Sequence, residues 1–268
     1  MPPDEQQRPG DHRHGGTGHH ADSAGTPWEG RSFAPAEPST DDGSAPPALL
    51  DIIARFHAGR ATAGDVVDVV RESRLLIPLV AELAEAAVGA TGLAADKSAD
   101  LSIVTVAGPD GRNVMPVFSS AESMRAWKPL ARPVPADAAR VGIAAASDRT
   151  DLVVLDPKSP TEFAIRRPAV WALAQRLPWT PSHLDTEVAV EFARSGEPEG
   201  HVRGITVASG DPGARLVGPE LIVTIEIAAG LDERGLAELI GRMHERWASS
   251  DVIASRVDSV AVRAIRAE

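Results

Sequence analysis

The chain has 268 residues, of which 43% are hydrophobic, so it is long enough to bury one large core or two small ones. Its formal net charge of −11 repels phosphate, and its 27 basic residues form no cluster in the sequence, which disfavours nucleic-acid binding. The absence of cysteine excludes disulfides, cysteine-ligated metals and thiol catalysis. No apolar run reaches the ~18 residues of a membrane span, and the first residues lack the basic start of a secretory signal. We therefore expect a cytoplasmic protein of two small domains that does not bind membranes.

Residues 1–47 are rich in proline, glycine, histidine and acidic side chains and show no apolar periodicity. Such a segment buries too little apolar surface to offset the entropy of ordering, so we predict a disordered tail. Four of the eight histidines lie within Asp11–His20, a pattern that can chelate a transition metal weakly. The other interpretation, a solvated tail or an expression remnant, needs no metal. We expect no bound cofactor.

The first predicted domain, residues 48–176, begins with two helices and a strand. A helical spacing places four apolar residues on one face of the first helix, namely Leu49, Leu50, Ile53 and Phe56. Thr62 followed three residues later by Asp65 is typical of a helix N-terminus, because the hydroxyl accepts a hydrogen bond from a free amide. The apolar run Arg74–Ala81 then predicts a strand. Because Pro78 cannot donate to a ladder, this strand should lie at a sheet edge or carry a bulge.

Two β-hairpins, each followed by a helix, are predicted within Leu101–Ala174. The first joins Leu101–Ala107 to Arg112–Phe118 through a Pro-Asp-Gly turn, since proline fixes one dihedral angle and glycine accepts positive φ. The second joins Asp151–Leu155 to Thr161–Ile165 through a turn that contains two prolines. The domain is therefore expected to be α+β with antiparallel hairpins.

Three helices are predicted around these hairpins. Ser119 or Ser120 can cap the first, which carries Trp127. A second helix should begin at about Pro135. Pro168 suits the first turn of the third, where its missing N–H costs nothing.

A linker is predicted at residues 177–184, because two prolines flank Trp179 there. The second domain, residues 185–268, follows with a short helix and then the order β-β-α-β, half of a ferredoxin-like unit. The predicted elements are a helix at Thr186–Ala193, strands at His201–Ala208 and Glu220–Ala228, a helix at Asp232–Trp247 and a strand at Ser259–Ile265.

Three short apolar motifs follow one another in an unusual combination. They are Ile77–Val80, then Val117–Ser120 with Trp127 downstream, and then Leu152–Pro157. Together they resemble the N-terminal domain of the SseB family over roughly residues 48–176, and the last segment is similar in order to the C-terminal domain that often accompanies it. The resemblance implies an α+β domain with no established enzymatic activity. The turn at Asp156 departs from the Asn-Pro-Gly-like turn of that pattern.

The sequence offers little that resembles a catalytic constellation. No G-x-S-x-G string occurs, so a nucleophile on a strand-to-helix turn is not indicated. Ser182, His183 and Asp185 have the side chains of a triad, but neighbours in one segment rarely face one another, and a helix cap is the favoured interpretation. Glu187 and Glu191 share a helical face and fit either a cation site or, as we favour, two solvated carboxylates.

The stronger candidates bind a partner. Large aromatic side chains act as anchors where they are exposed, although at strand or helix spacing they are more often core. The junction at Phe118–Ser120 also offers free helix amides to an anion or a partner's carboxylate, with serine capping as the alternative. The candidate partner-binding residues are Phe118, Ser119, Ser120, Trp127 and Trp179.

These observations favour a cytoplasmic, non-enzymatic protein-interaction or regulatory protein. Its partner is expected to be another protein or a second copy of the chain. The alternative is a small-molecule sensor or enzyme, with a site in the cleft between the domains around Trp179 that uses glutamate or arginine side chains.

Overall fold

The computed structural model describes residues 41–81, 101–148 and 150–267. Gly43–Glu268 form one compact unit, and its fold is α+β, as predicted. The predicted tail and its histidines lie outside the described residues up to position 40. At the start of the compact unit the Gly43 carbonyl accepts a hydrogen bond from the Ala121 amide at 2.8 Å.

The chain enters this unit with two helices and a strand, which confirms the sequence prediction. These are α1 at Pro47–His57, α2 at Ala63–Arg71 and β1 at Arg74–Ala81. Thr62 and Asp65 form the predicted cap of α2: the Thr62 hydroxyl accepts from the Asp65 amide at 3.1 Å, and the Asp65 carboxylate accepts from the Thr62 amide at 2.7 Å.

β1 lies in the middle of a three-stranded antiparallel sheet, between β2 at Leu101–Ile103 and β5 at Arg132–Asp137. The prediction of an edge position was therefore wrong for the strand as a whole. Pro78 is nevertheless paired on one side only, with Pro133 of β5, because β2 joins β1 from Leu79 onward. The missing amide of Pro78 thus costs the sheet little.

The first residues of the second predicted helix form the end of a strand instead. α4 spans Ala138–Ser147, and Asp137 caps it by accepting from the Arg140 amide at 2.8 Å. The predicted start at about Pro135 was therefore too early. Residues 132–137 form β5, where Pro133 and Pro135 hide the strand pattern in the sequence.

The two predicted hairpins belong to a second, four-stranded sheet with the order β3-β4-β6-β7. Its strands are β3 at Val106–Ala107, β4 at Asn113–Val117, β6 at Val153–Leu155 and β7 at Phe163–Ile165. Both hairpins are confirmed, but residues 101–103 leave the first one to pair with β1. Parallel pairing of β4 with β6 joins the hairpins into one sheet. α3 at Ala121–Trp127 and α5 at Arg167–Ala174 follow them.

The last part of the chain forms a third sheet with helices. It comprises α6 at Thr186–Gly196, β8 at Val202–Ser209, β9 at Leu221–Ile227, α7 at Glu233–Ala248, α8 at Asp251–Arg256 and β10 at Val260–Arg266. The predicted order β-β-α-β is confirmed, with α8 as an additional short helix. β9 pairs antiparallel with β8 and parallel with β10, so the sheet order is β10-β9-β8.

The two largest hydrophobic cores of the described residues lie on either side of a charged junction. The first joins α1, α2, α4 and α5 to the first two sheets, and the second lies between β8–β10 and α6–α8. The predicted linker at 177–184 is ordered here: Ser182–Leu184 form a short 3-10 turn, and Trp179 packs against the first core. The loop between β8 and β9 sends Ala214 into that same core.

Candidate functional site

Arg166 stands at the centre of the junction between the two cores. It precedes α5, and its guanidinium donates to the Asp211 carboxylate at 2.7 Å, to the Gly218 carbonyl at 2.8 Å and to the Asp258 carboxylate at 3.1 Å. Its side chain is only 8% exposed. A buried arginine that satisfies two carboxylates from elsewhere in the chain fixes the β8–β9 loop and the start of β10 against the first half.

Arg112 is the second cation of the junction. It forms a bidentate pair with Asp258, with two contacts of 2.9 Å, and also binds Asp110 in the turn of the first hairpin. Hydrogen bonding to Asp258 raises the pKa of the Arg112 guanidinium above its ordinary value. Burial works to raise the pKa of Asp258, but hydrogen bonds and charge from Arg112 and Arg166 outweigh it and hold that pKa below the ordinary range. Asp258 is therefore ionised at neutral pH.

Glu220 adds a third carboxyl group to the junction. It accepts from the Ser182 hydroxyl at 2.8 Å and from the Asp258 amide. Its burial raises its pKa, because the charged form loses hydration. Ser182 thus points to Glu220, whereas Asp185 caps α6 by accepting from the Glu187 amide at 2.9 Å. Ser182 and Asp185 therefore do not form a catalytic triad with His183. The helix cap that we favoured is present at the start of α6.

The β8–β9 loop owes its shape to Asp211. The Asp211 carboxylate accepts from the amides of Arg215 and Leu216 at 3.1 and 2.8 Å. Ala214 and Leu216 both adopt positive φ, at 49° and 56°, a region that non-glycine residues rarely occupy. The hydrogen bonds of Asp211 therefore hold a strained loop against the first half of the molecule.

A small cavity of about 50 Å³ opens between these groups. It is lined on one side by apolar side chains of the first core and on the other by Arg166, Asp211, Glu220 and Trp179. Trp179 also has a buried Nε1 that finds no hydrogen-bond partner among the described residues. Pockets for small molecules measure ~300–1,000 Å³, so this cavity suits a few water-sized groups rather than a metabolite.

The predicted partner-binding residues do not form one surface. Phe118 and Ser119 are buried, and the Ser119 hydroxyl donates to the Asp156 carboxylate at 2.6 Å. Ser120 is also buried and caps α3, accepting from the Ser123 amide at 3.0 Å. Two of the helix amides expected to be free at this junction, those of Ala121 and Ser123, are therefore occupied. Trp127 is half-buried and packs against Phe118, with ring centroids 5.3 Å apart.

Asp156 explains why Phe118 and Ser119 are interior residues. It is fully buried, adopts a positive φ of 45°, and accepts from the Ser119 amide and the Thr161 hydroxyl as well as from the Ser119 hydroxyl. The departure from the Asn-Pro-Gly-like turn thus falls on a residue that holds β4, β6 and β7 together. Trp179, half-buried at the cavity, lies far along the chain from this group, so a partner-binding role stays a prediction for Trp127 and Trp179 only.

The backbone of β10 is paired on one side only. The Leu221 amide donates to the Ser259 carbonyl, and the Ala267 amide donates to the Ile227 carbonyl, so odd-numbered β10 residues direct their backbone groups to β9. The even-numbered ones, Val260, Val262, Ala264 and Arg266, direct theirs outward. In the part of the chain that is described, these outward groups make no hydrogen bond. β10 therefore presents an open edge seven residues long.

The outer edge of β5 shows that this chain also contains a blocked edge. Leu76 exchanges both backbone hydrogen bonds with Phe118, at 2.8 and 2.9 Å, so Leu76 and Pro135 face each other without hydrogen bonds between them. Pro135 and, two residues earlier, Pro133 therefore direct their nitrogens outward. Neither has a proton to donate, which prevents another strand from pairing there. β10 contains no proline, so its edge is not blocked in this way.

A surface groove of about 710 Å³ lies at the start of β10. Asp110, Arg112 and Asp258 line it, together with Val217, which is 77% exposed. Two carboxylates, each paired with Arg112, thus lie where β10 begins, whereas Arg263 and Arg266 lie in its second half, both exposed. The first end of the strand therefore has two carboxylates and one arginine beside it, and the second half contains two arginines.

Other predicted binding features are accounted for by contacts within the chain. Glu187 and Glu191 pair with Arg256 and Arg194 at 2.7 and 2.5 Å, so the two carboxylates that we expected to be solvated each form an ion pair within the chain. Within the described ranges, no three histidine, aspartate or glutamate side chains are grouped as metal ligands. In the same ranges, no helix combines the length and the apolar character that a bilayer crossing requires.

The geometry defines a two-core α+β protein whose halves meet at a charged junction and whose last strand has a free edge. Residues 48–172 match the family model of the SseB protein N-terminal domain. This match covers the first half of the fold, from α1 to within α5, and agrees with the resemblance seen in the sequence. Comparison with curated proteins and with solved structures gave no match.

Sequence reasoning missed Arg166, Asp211 and Asp258, because their partners lie 45 or more positions away in the chain. The one local signal was a pair of arginines, Arg166 and Arg167, directly before a helix, where cations are unfavourable. Charges against a local preference indicate a tertiary partner. The free edge of β10 had a signal too, since the strand contains no proline, the residue that blocks pairing at the edge of β5.

Proposed function

We propose that this chain is a non-enzymatic protein-interaction or regulatory protein of the cytoplasm, and that it binds its partner through the free edge of β10. Its partner adds a strand to the β10-β9-β8 sheet, a recurring mode of peptide and protein recognition in which backbone groups supply the affinity. The second half of the chain corresponds in this proposal to the C-terminal domain of the SseB family. A cytoplasmic location suits a chain without cysteine.

The single observation that carries the proposal is the contrast between the two edges. β5 has prolines at two of its three outward positions, 133, 135 and 137, whereas β10 keeps four outward amides and carbonyls unpaired. Exposed strands of this kind are ready templates for pairing, and proteins usually protect them. One sheet edge of this chain, β5, is blocked and another, β10, is open. A partner strand that pairs with β10 explains this difference most simply.

The alternative of a metabolite site at the junction has weaker support. Trp179 Nε1 favours it, since a ligand acceptor would satisfy this buried donor. The cavity volume of about 50 Å³ and the pairing of Arg166 with Asp211 and Asp258 disfavour it. The charged groups there are already engaged in holding the two halves together.

Substitution of Ala264 tests the proposed mode of binding. Its amide points outward, so Ala264→Pro removes one donor from the free edge and none from the ladder with β9, as Pro133 and Pro135 do in β5. Ala264→Ser keeps the amide and serves as the matched control. We expect the wild-type chain and Ala264→Ser to retain the same protein in stoichiometric amount from a lysate, identified by mass spectrometry, and Ala264→Pro to lose it.

Circular dichroism and thermal unfolding check that Ala264→Pro is folded. Retention of the same protein by the folded Ala264→Pro variant would contradict binding through this edge. Turnover of a substrate by the purified chain, abolished by a substitution at the junction, would contradict the non-enzymatic role.

A further inference from the structure

The charges along β10 are arranged so that two antiparallel copies of the strand would complement each other. Asp258, Asp110 and Arg112 lie at its start, and Arg263 and Arg266 lie in its second half. Two copies of the strand laid antiparallel would bring the basic end of each beside the groove of the other, where the two carboxylates outnumber the one arginine. We propose that the partner of β10 is a second copy of this chain, so that two three-stranded sheets join into one of six strands.

This inference rests on the proposed function and names its partner. A two-fold axis makes the pairing of a strand with its own copy antiparallel and uses the same surface of both chains. Each copy then satisfies the outward groups of the other, and the free edge disappears.

Charge selects the register of the pairing. With Arg263 on the axis, two arginines would face each other directly, which destabilises an antiparallel pair. With Val262 on the axis, Arg263 stands opposite Ala261, and Arg266 stands opposite Asp258 at the groove. The second register removes the repulsion and places each Arg266 near the Asp110 and Asp258 carboxylates, which Arg112 already pairs with.

The side chains on the two faces of β10 also fit the register that has Val262 on the axis. Val260 and Val262 are half-buried and pack against the second core at its margin. On the axis the two copies of Val262 meet and extend that core from one chain into the other. On the open face, Ile265, which is 41% exposed, stands opposite Ser259, beside the groove that contains Val217.

Sedimentation equilibrium of the purified full chain over a wide concentration range tests the inference. We expect the wild-type chain and Ala264→Ser to reach the mass of two 28.1 kDa chains. Ala264→Pro should weaken the dimer by at least ~10-fold in Kd, since each copy loses a donor and leaves an acceptor unpaired.

A charge reversal tests the register independently of backbone pairing. Arg266→Glu places a carboxylate beside Asp258 and Asp110 of the other copy and should weaken the dimer by ~10-fold, an effect that decreases in high salt. Arg234→Glu on α7 is the matched control, because that side chain is 88% exposed and remote from β10 in sequence. It should leave Kd within ~2-fold of the wild type.

The outcomes separate this inference from the proposed function. If the wild-type chain has the mass of one chain at every concentration, the second copy is excluded, and loss of a captured protein by Ala264→Pro alone would still support the free edge. If dimers form equally well with Ala264→Pro, or if Arg266→Glu matches Arg234→Glu, pairing through β10 in this register is wrong.

Discussion

At the scale of single residues, the molecule depends most on Arg166. Its guanidinium is 8% exposed, and Asp211 and Asp258 beside it are each 2% exposed. Taking three charges out of water is costly, and mutual attraction repays that cost only while the geometry is intact. Asp211 in turn shapes the β8–β9 loop, and Asp258 precedes β10. One side chain thus positions both the loop and the strand that we propose to be the binding edge.

Replacement of Arg166 by alanine should therefore destabilise the chain strongly. Asp211 and Asp258 would remain buried without their shared cation, and the expected loss is about 3–5 kcal/mol in the free energy of unfolding. Urea unfolding at neutral pH, followed by tryptophan fluorescence, measures it.

Arg234→Ala provides the comparison for this loss, because the Arg234–Glu238 pair is on the surface. Its effect should stay within about 0.5 kcal/mol. Equal stability of Arg166→Ala and Arg234→Ala would show that the junction does not hold the halves together.

At the scale of elements, α4 and α5 approach so closely that only glycine fits between them. A Cβ built at Gly142 of α4 would lie 2.9 Å from the Val170 carbonyl oxygen and from the Ala174 amide nitrogen of α5. Backbone atoms cannot move aside as a flexible side chain can. Gly241 of α7 differs, since nothing lies within 4 Å of a Cβ there.

The two glycines should respond to alanine with opposite signs. Gly142→Ala should cost about 1–3 kcal/mol because the helices must separate. Gly241→Ala should stabilise the chain by about 0.5–1 kcal/mol, the helix propensity that alanine gains over glycine. Thermal unfolding of both variants beside the wild type measures the difference, and a gain at Gly142 would contradict the close contact between α4 and α5.

Local signals predict elements well in this chain and their pairing poorly. Thr62, Ser120 and Asp185 were each identifiable as caps, because a cap depends on residues within four positions of one another. β5 was missed because its prolines obscure the strand pattern. The parallel pairing of β4 with β6 and the departure of residues 101–103 to β1 depend on contacts that no local pattern contains.

The candidate site was harder to predict than the fold for the same physical reason. Phe118 and Ser119 looked like a binding surface because they end a strand beside a helix. Asp156, 37 positions later than Ser119, draws them into the interior. The exposure of a side chain depends on which distant element covers it, so aromatic and serine residues alone do not locate a surface.

At the scale of the whole molecule, the two halves have different tasks. The first half, which matches the SseB N-terminal domain, contributes Arg112 and Arg166 to the junction and ends its own exposed sheet edge with prolines. The second half offers an unprotected edge whose start is fixed by those arginines. We infer that the first half serves as a rigid support for a binding strand in the second.

Amide hydrogen exchange along β10, followed residue by residue with NMR, tests this account most directly. In dilute solution the amides of Ala261, Arg263 and Ile265 should exchange slowly, because they bond to β9, while those of Val262 and Ala264 exchange quickly. As the chain associates at higher concentration, Val262 and Ala264 should become protected as well. Fast exchange of Val262 and Ala264 at concentrations where the chain is bound to its partner would contradict the claim that β10 is the binding edge.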